Sequence, residues 1–275
     1  MDRAISLTIF YILTSSLLSA CGNLSSLLFH PSQEYFSTPQ ADTYQEITLE
    51  TEDGERLVNW FIPSSTPSKG IILFLHGNAQ NISTHYHSVR WLPSKGYSLF
   101  LLDYRGFGLS TGTPNLPGAF KDIKAAHKWL SENYPEQRLI LLGQSMGAAF
   151  SIAYGAIYDK KLTPFTHVIA EAAPESWPGI ASEVMRRHWL TYSFSLPAKL
   201  IDDSFDPIDH IQKLDAESLM LIYSPDDQVI PYAHGQRLQE LVDGKAHWLQ
   251  TSGPHISAFA KEEYRKAVID FLESQ

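Results

Sequence analysis

The chain has 275 residues, 44% of them apolar and 12% aromatic, enough to bury one large core and too hydrophobic a balance for disorder. Lys+Arg 21 against Asp+Glu 30 leaves a net charge of −9; such a surface repels nucleic-acid phosphate and offers anionic lipid no polybasic patch, so nucleic acid is excluded as a partner. A single cysteine, Cys21, excludes an intrachain disulfide framework and a zinc site built from paired thiolates.

Met1-Asp2-Arg3 precedes the apolar run Ile5–Leu18, which ends at the small residues Ser19-Ala20. The run is shorter than the roughly 20 residues that span a bilayer, and its anatomy predicts a signal peptide over 1–20. Leu18-Ser19-Ala20-Cys21 resembles the bacterial lipobox. That resemblance implies cleavage before Cys21, a lipid on its thiol, and a place in the cell envelope. Gly22, where some bacteria use Asp for inner-membrane retention, favours the outer membrane. An uncleaved anchor and plain secretion are the alternatives. Residues 21–42, rich in Ser, Pro, Asn and Gln, read as a lipidated tether lying partly on the domain surface.

From about Thr43 strand and helix patterns alternate to the end, which predicts one α/β domain over 43–275. Tyr44–Glu50 and Leu57–Ile62 read as an antiparallel pair around the turn Glu52-Asp53-Gly54. The apolar runs Ile71–Leu75, Tyr97–Leu102, Leu139–Leu142 and His167–Ala170 follow, then Leu219–Tyr223 and Lys245–Gln250. Unbroken apolar strands separated by helices predict a mostly parallel sheet of about eight strands, covered on both faces. Helical spacing is clearest at Phe120, Ile123, Ala126, His127 and Leu130, and again from Ile256 through Phe259, Tyr264 and Val268 to Phe271. Pro174–Pro207 breaks the alternation with Trp177, Trp189, Tyr192, Phe194 and Phe205, and reads as a short cap.

The chemistry concentrates at Gly143-Gln144-Ser145-Met146-Gly147, between the strand Leu139–Leu142 and the helical run Ala148–Tyr158. A serine on such a sharp turn is driven outward as a nucleophile, and the flanking glycines let strand and helix pass close behind it. A serine hydroxyl needs an adjacent imidazole to take its proton, and the imidazole needs an acceptor to orient it. His255, in the loop Ser252-Gly253-Pro254-His255 after the last strand, lies at the sheet edge where Ser145 must also lie. His76, His127 and His247 fall in less suitable places. Asp226 and Asp227 compete for the acid in the loop after Leu219–Tyr223, and adjacent residues there cannot both point at one imidazole. The backbone N–H of Met146, directly after the nucleophile, is the first expected oxyanion donor.

At these residues the sequence resembles the α/β-hydrolase family, specifically its short-cap serine hydrolases, over about residues 27–275. His76-Gly77-Asn78-Ala79-Gln80-Asn81 is similar to the family's oxyanion loop, Asp103-Tyr104-Arg105-Gly106-Phe107-Gly108-Leu109-Ser110 matches a common signature, and Ser224–Pro231 is similar to the acid-bearing segment. The resemblance implies an α/β-hydrolase fold, a triad of Ser145, Asp227 and His255 with Asp227 preferred over Asp226, a second oxyanion donor at Asn78, and a structural Asp103.

The expected activity is hydrolysis of an ester, thioester or amide through an acyl-enzyme, with a carboxylesterase or lysophospholipase-like enzyme ahead of a peptidase. A non-catalytic envelope lipoprotein using the fold as a binding module is the alternative from another class. No cofactor is expected. His85-Tyr86-His87 could offer a metal two ligands if extended, but no third is indicated. The expected partners are a small or lipid-like acyl substrate and, through Cys21, a membrane; the chain is expected to be a monomer.

Overall fold

The computed structural model describes residues 24–40, 43–186 and 201–274. Cys21, the signal region, and Trp189, Tyr192 and Phe194 of the expected cap lie outside the described residues. In chain order, a 3-10 turn at Leu24–Leu28 leads into β1 (His30–Pro31), β2 (Gln45–Glu50), β3 (Arg56–Ile62), β4 (Gly70–Leu75) and β5 (Ala79–Gln80). Then follow α1 (Ile82–Val89), β6 (Tyr97–Leu102), α2 (Leu116–Asn133), β7 (Leu139–Gln144), α3 (Met146–Ile157) and β8 (Phe165–Glu171). The chain closes with α4 (Trp177–Arg186), α5 (Pro207–His210), β9 (Ser218–Tyr223), α6 (Tyr232–Leu241), β10 (His247–Gln250) and α7 (Glu262–Glu273).

Among the described residues, eight strands form one sheet in the order β10-β9-β8-β7-β4-β6-β3-β2, antiparallel only at β2–β3 and β3–β6. The continuous apolar runs are explained by two-sided burial. Ile71, Leu73 and Leu75 of β4 point to one face with residues of α2 and α3, while Ile72 and Phe74 point to the other with Ile82 and Val89 of α1 and Val268 and Phe271 of α7. Strand periodicity of two makes each run serve both layers.

Two helices, α1 and α6, carry no apolar period strong enough to announce them. α1 is instead marked by its N-cap, where the Asn81 side chain accepts from Ser83 N–H. The pattern read as one helix from Ile256 is broken. Ile256 takes φ 49°, Ala258–Ala260 form a 3-10 turn, and the α-helix starts only at Glu262. Ile256 and Phe259 therefore face the core from a turn. Of the cap, α4 is described, lying over the carboxyl edge of the sheet where Trp177 meets Phe150 of α3.

The described part of the expected tether, 24–40, is docked on the domain. Phe29 is buried beside Phe107, and Tyr35 packs edge-on to Trp60. β1 pairs in parallel with β5, His30 opposite Ala79.

Candidate active site

Ser145 sits between β7 and α3 with φ 56° and ψ −118°. A non-glycine residue in such a conformation costs about 1–3 kcal/mol and persists only where its surroundings over-determine it. Here they do. Ser145 N–H donates to the Glu171 carbonyl of β8 at 2.8 Å, and strand and helix pass too close for any side chain beneath the turn. A Cβ on Gly147 would lie 2.0 Å from the carbonyl oxygen of Leu75, and one on Gly143 would lie 2.1 Å from that of Gly147. The two glycines are required by contact.

His255 bridges the other two groups. Its Nε2 lies 2.9 Å from Ser145 Oγ and its Nδ1 lies 2.7 Å from Asp227 Oδ2. A carboxylate can only accept, so the network assigns the proton to Nδ1 and leaves the Nε2 lone pair facing the serine hydroxyl. The remaining oxygen of Asp227 accepts from Val229 N–H at 2.7 Å and Ile230 N–H at 3.0 Å. Burial works to raise the Asp227 pKa. The hydrogen bond and charge of His255 and the two backbone donors outweigh it, so the carboxyl lies below its ordinary value.

Asp226 and Asp227 are thus separated by geometry. Asp226 turns to the loop that carries His255, where its Oδ2 accepts from Gly253 N–H at 2.9 Å.

Asn78 and Met146 line the same cavity as Ser145. As the first residue of α3, Met146 has an N–H that no carbonyl of its own helix can take. Under the Asn78 loop lies buried His76, with Nδ1 2.7 Å from Gly77 O and Nε2 3.2 Å from Asp103 Oδ1. Asp103 also accepts from Ile82 N–H at 2.9 Å, fastening the start of α1 behind the Asn78 loop. Arg105, two residues on, forks onto buried Asp122 and partly exposed Asp53. The Asp103–Ser110 signature is therefore a brace, and its polar side chains tie it to the Asn78 loop, to β3, to α2 and to the turn at Asp53.

The remaining histidines are structural or exposed. His127 is buried on α2 between Tyr154 Oη and the Thr163 carbonyl, and burial holds its pKa down at about 4. His247 is exposed on β10. His85 and His87 lie on α1, where residues two apart do not face each other, in place of the extended chain a metal pair would require. His85 Nε2 meets Ala79 O and His87 Nε2 meets Ser37 Oγ. No cluster of three metal-ligating side chains occurs among the described residues.

Beside Ser145 a cavity of about 220 Å³ is walled by Trp177, Ile180, Ala181, Val184 and Met185 of α4, by Val229 and Ile230, and by Leu28 and His30 of the N-terminal segment. The α4 wall residues fall within the expected cap 174–207, and Val229 and Ile230 within the segment Ser224–Pro231. Leu28 stands in the stretch that reads as a tether lying partly on the domain surface, and it is half-buried against the core. A larger hollow of about 380 Å³ lies at the amino ends of β9 and β10, beside Leu219 and His247. It is at the wrong sheet edge for chemistry, since open α/β sheets gather reactive groups at the carboxyl ends.

A mostly parallel sheet, a strained serine on a strand-to-helix turn, and an Asp and a His delivered by later loops define an α/β hydrolase. Residues 66–198 match the family model described as serine aminopeptidase, S33. The chain is 31% identical over 261 residues to YfhR of Escherichia coli K12, covering 90% of this chain and 87% of that protein. It is 29% identical over 250 residues to human alpha/beta hydrolase domain-containing protein 17B, covering 87% and 79%. Among solved structures it resembles the Pyrococcus furiosus esterase Pf2001, with a TM-score of 0.72, 25% identity, and 89% and 98% of the two chains covered. The Pyrococcus horikoshii acylaminoacyl peptidase shares the fold, with a TM-score of 0.62, 16% identity, and 84% and 41% covered. The chain belongs to the α/β-hydrolase family, and it is a hydrolase.

Proposed function

We propose that this hydrolase is a serine esterase that cleaves carboxylic esters of an apolar acyl group through an acyl-enzyme. The observation that carries the reading is His255, placed within hydrogen-bond reach of both Ser145 Oγ and Asp227 Oδ2. Ser145 Oγ attacks the ester carbonyl as His255 Nε2 takes its proton. Asp227 stabilises the imidazolium and fixes its tautomer. The backbone N–H groups of Met146 and Asn78 receive the developing oxyanion, each such donor being worth about 10²–10³ in rate. His255 then protonates the departing alkoxide, and a water activated by the same imidazole releases the acid.

The cavity favours an acyl group over an amino-terminal residue. Its described walls are apolar apart from His30, Asn78 and Ser145, and an ammonium group would be left there without a carboxylate partner. The test is a series of p-nitrophenyl esters of increasing acyl length run beside aminoacyl amides. The reading expects ester turnover that Ser145→Ala abolishes; amide turnover exceeding ester turnover would overturn it.

The N-terminal reading rests on residues outside the described ones. Leu18-Ser19-Ala20-Cys21 supports a mature chain that begins at a lipidated Cys21 and is held on the cell envelope. No described helix is long and apolar enough to cross a membrane. Intact mass of the membrane fraction tests it, with acyl mass on Cys21 expected. A mature terminus elsewhere contradicts it.

A further inference from the structure

The stretch 24–37 sits against the one loop whose position an oxyanion site cannot let drift. His30 N–H donates to both the carbonyl oxygen of Asn78, at 3.3 Å, and its side-chain Oδ1, at 3.1 Å. Ser32 N–H donates to Gln80 O at 3.0 Å. Between these bonds Gln80 takes φ 65°, a left-handed conformation that a non-glycine residue holds only when its neighbours impose it.

The other side of the segment is fastened to rigid parts of the domain. Ser32 O accepts from Gly108 N–H at 2.9 Å and from Asn81 Nδ2 at 3.0 Å, and Glu34 O accepts from Asn81 Nδ2 at 2.7 Å. Phe36 N–H donates to Ser83 Oγ at 2.9 Å. Phe29 and Tyr35 supply the apolar anchorage already described. The segment is threaded between the Asn78 loop and the Asp103–Ser110 brace, and Leu28 and His30 emerge from it as cavity wall.

We propose that residues 24–37 form a strap that positions the Asn78 oxyanion donor and completes the acyl pocket, so that hydrolysis depends on a segment lying before the sheet. The proposal rests on the serine-esterase reading. His30 and Ser32 act as positioning residues through their backbone; Leu28 touches the acyl group. The strap's hydrogen bonds to the Asn78 loop and to Gly108 lie at the carboxyl edge, outside the eight-stranded ladder. A donor misplaced by about 1 Å costs on the order of 10² in rate.

The test uses the full chain and a p-nitrophenyl acetate assay, with His30→Pro, His30→Ala and Asn81→Asp. Proline removes the N–H that reaches Asn78, whereas alanine keeps it and removes only the imidazole. Aspartate at 81 keeps the cap acceptor of α1 and discards both donors to the strap. The expected result is a kcat for His30→Pro at least tenfold below that of His30→Ala. KM should be alike in the two, and affinity for a trifluoromethyl ketone, which places an oxyanion in the same hole, should fall in parallel with kcat. Asn81→Asp should move kcat the same way.

Equal kcat in the two position-30 variants, with Asn81→Asp equal to the parent, overturns the proposal. So does a fall of more than about 10 °C in unfolding midpoint in either His30→Pro or Asn81→Asp, which makes the strap a structural part of the fold. A parent chain without Ser145-dependent turnover is a different result, since it removes the esterase reading itself.

Discussion

Asp227→Asn isolates the orienting group with little change of shape. The Asp227 oxygen that accepts from Val229 and Ile230 N–H is replaced by the amide oxygen, so the loop keeps its bonds and the unfolding midpoint should move by no more than about 3 °C. The other position becomes an NH₂ facing His255 Nδ1 across 2.7 Å. Two donors cannot share that contact, and the imidazole must move its proton to Nε2, where it faces Ser145 Oγ and can no longer accept. Loss of the correct tautomer costs about 10³–10⁴ in kcat, or roughly 4–5.5 kcal/mol of transition-state stabilisation. Asp226→Asn retains an acceptor for Gly253 N–H and should lose less than about fivefold. In the parent, Asp227 has its pKa held below the ordinary carboxylate value. It therefore stays ionised as pH falls through the imidazole range, and the acid limb of kcat/KM should be a single protonation. Steady-state ester hydrolysis at pH 7.5 decides between the two aspartates. An Asp227→Asn enzyme within tenfold of the parent would refute the reasoning.

Gly147→Ala should cost about 3 kcal/mol or more and most of the activity, because its Cβ would lie 2.0 Å from Leu75 O; urea unfolding and ester turnover measure the two losses. Ala181→Phe fills the cavity from α4, and kcat/KM for an octanoate ester should fall at least tenfold relative to acetate. His127 is fully buried with a pKa of about 4, below its unfolded value near 6.5. Its contribution is complete above pH 6.5 and declines as pH falls towards 4, because the unfolded chain takes up a proton the folded one does not. The loss is about 3 kcal/mol. Urea unfolding at pH 7.5 and 4.5 should show this, with a shallower pH dependence in His127→Gln.

The sheet was legible because burial on both faces leaves short, nearly unbroken apolar runs such as Ile71–Leu75 and Tyr97–Leu102, whose length and flanking turn residues set them apart from helices. The turn that carries Ser145 was legible for a related reason, since Gly143 and Gly147 are demanded by contacts that the strand-turn-helix setting itself creates. The aspartate pair shows the limit. Residue types alone left Asp226 and Asp227 open, and the resemblance preferred Asp227; the geometry gives each carboxylate its own task, one on His255 and one on the Gly253 N–H.

Other parts were hidden for physical reasons. Strap residues 30 and 32 act through backbone N–H and C=O groups, which every sequence possesses. α1 holds only Ile82 and Val89 as buried apolar positions, too few for a helical period. His85 and His87 looked like a chelating pair only while their chain was taken as extended. Ile256 sits on the right period for a helix but in a conformation that ends one, set by the loop that must present His255.

The central claim is that Ser145 is a nucleophile activated by His255. Reaction with a fluorophosphonate, followed by intact mass and peptide mapping, tests it most directly. One adduct per chain on Ser145 is expected, absent in Ser145→Ala and formed at least a hundredfold more slowly in His255→Ala. A parent chain that takes up no adduct, carries it on another residue, or reacts as fast without His255 would contradict the account.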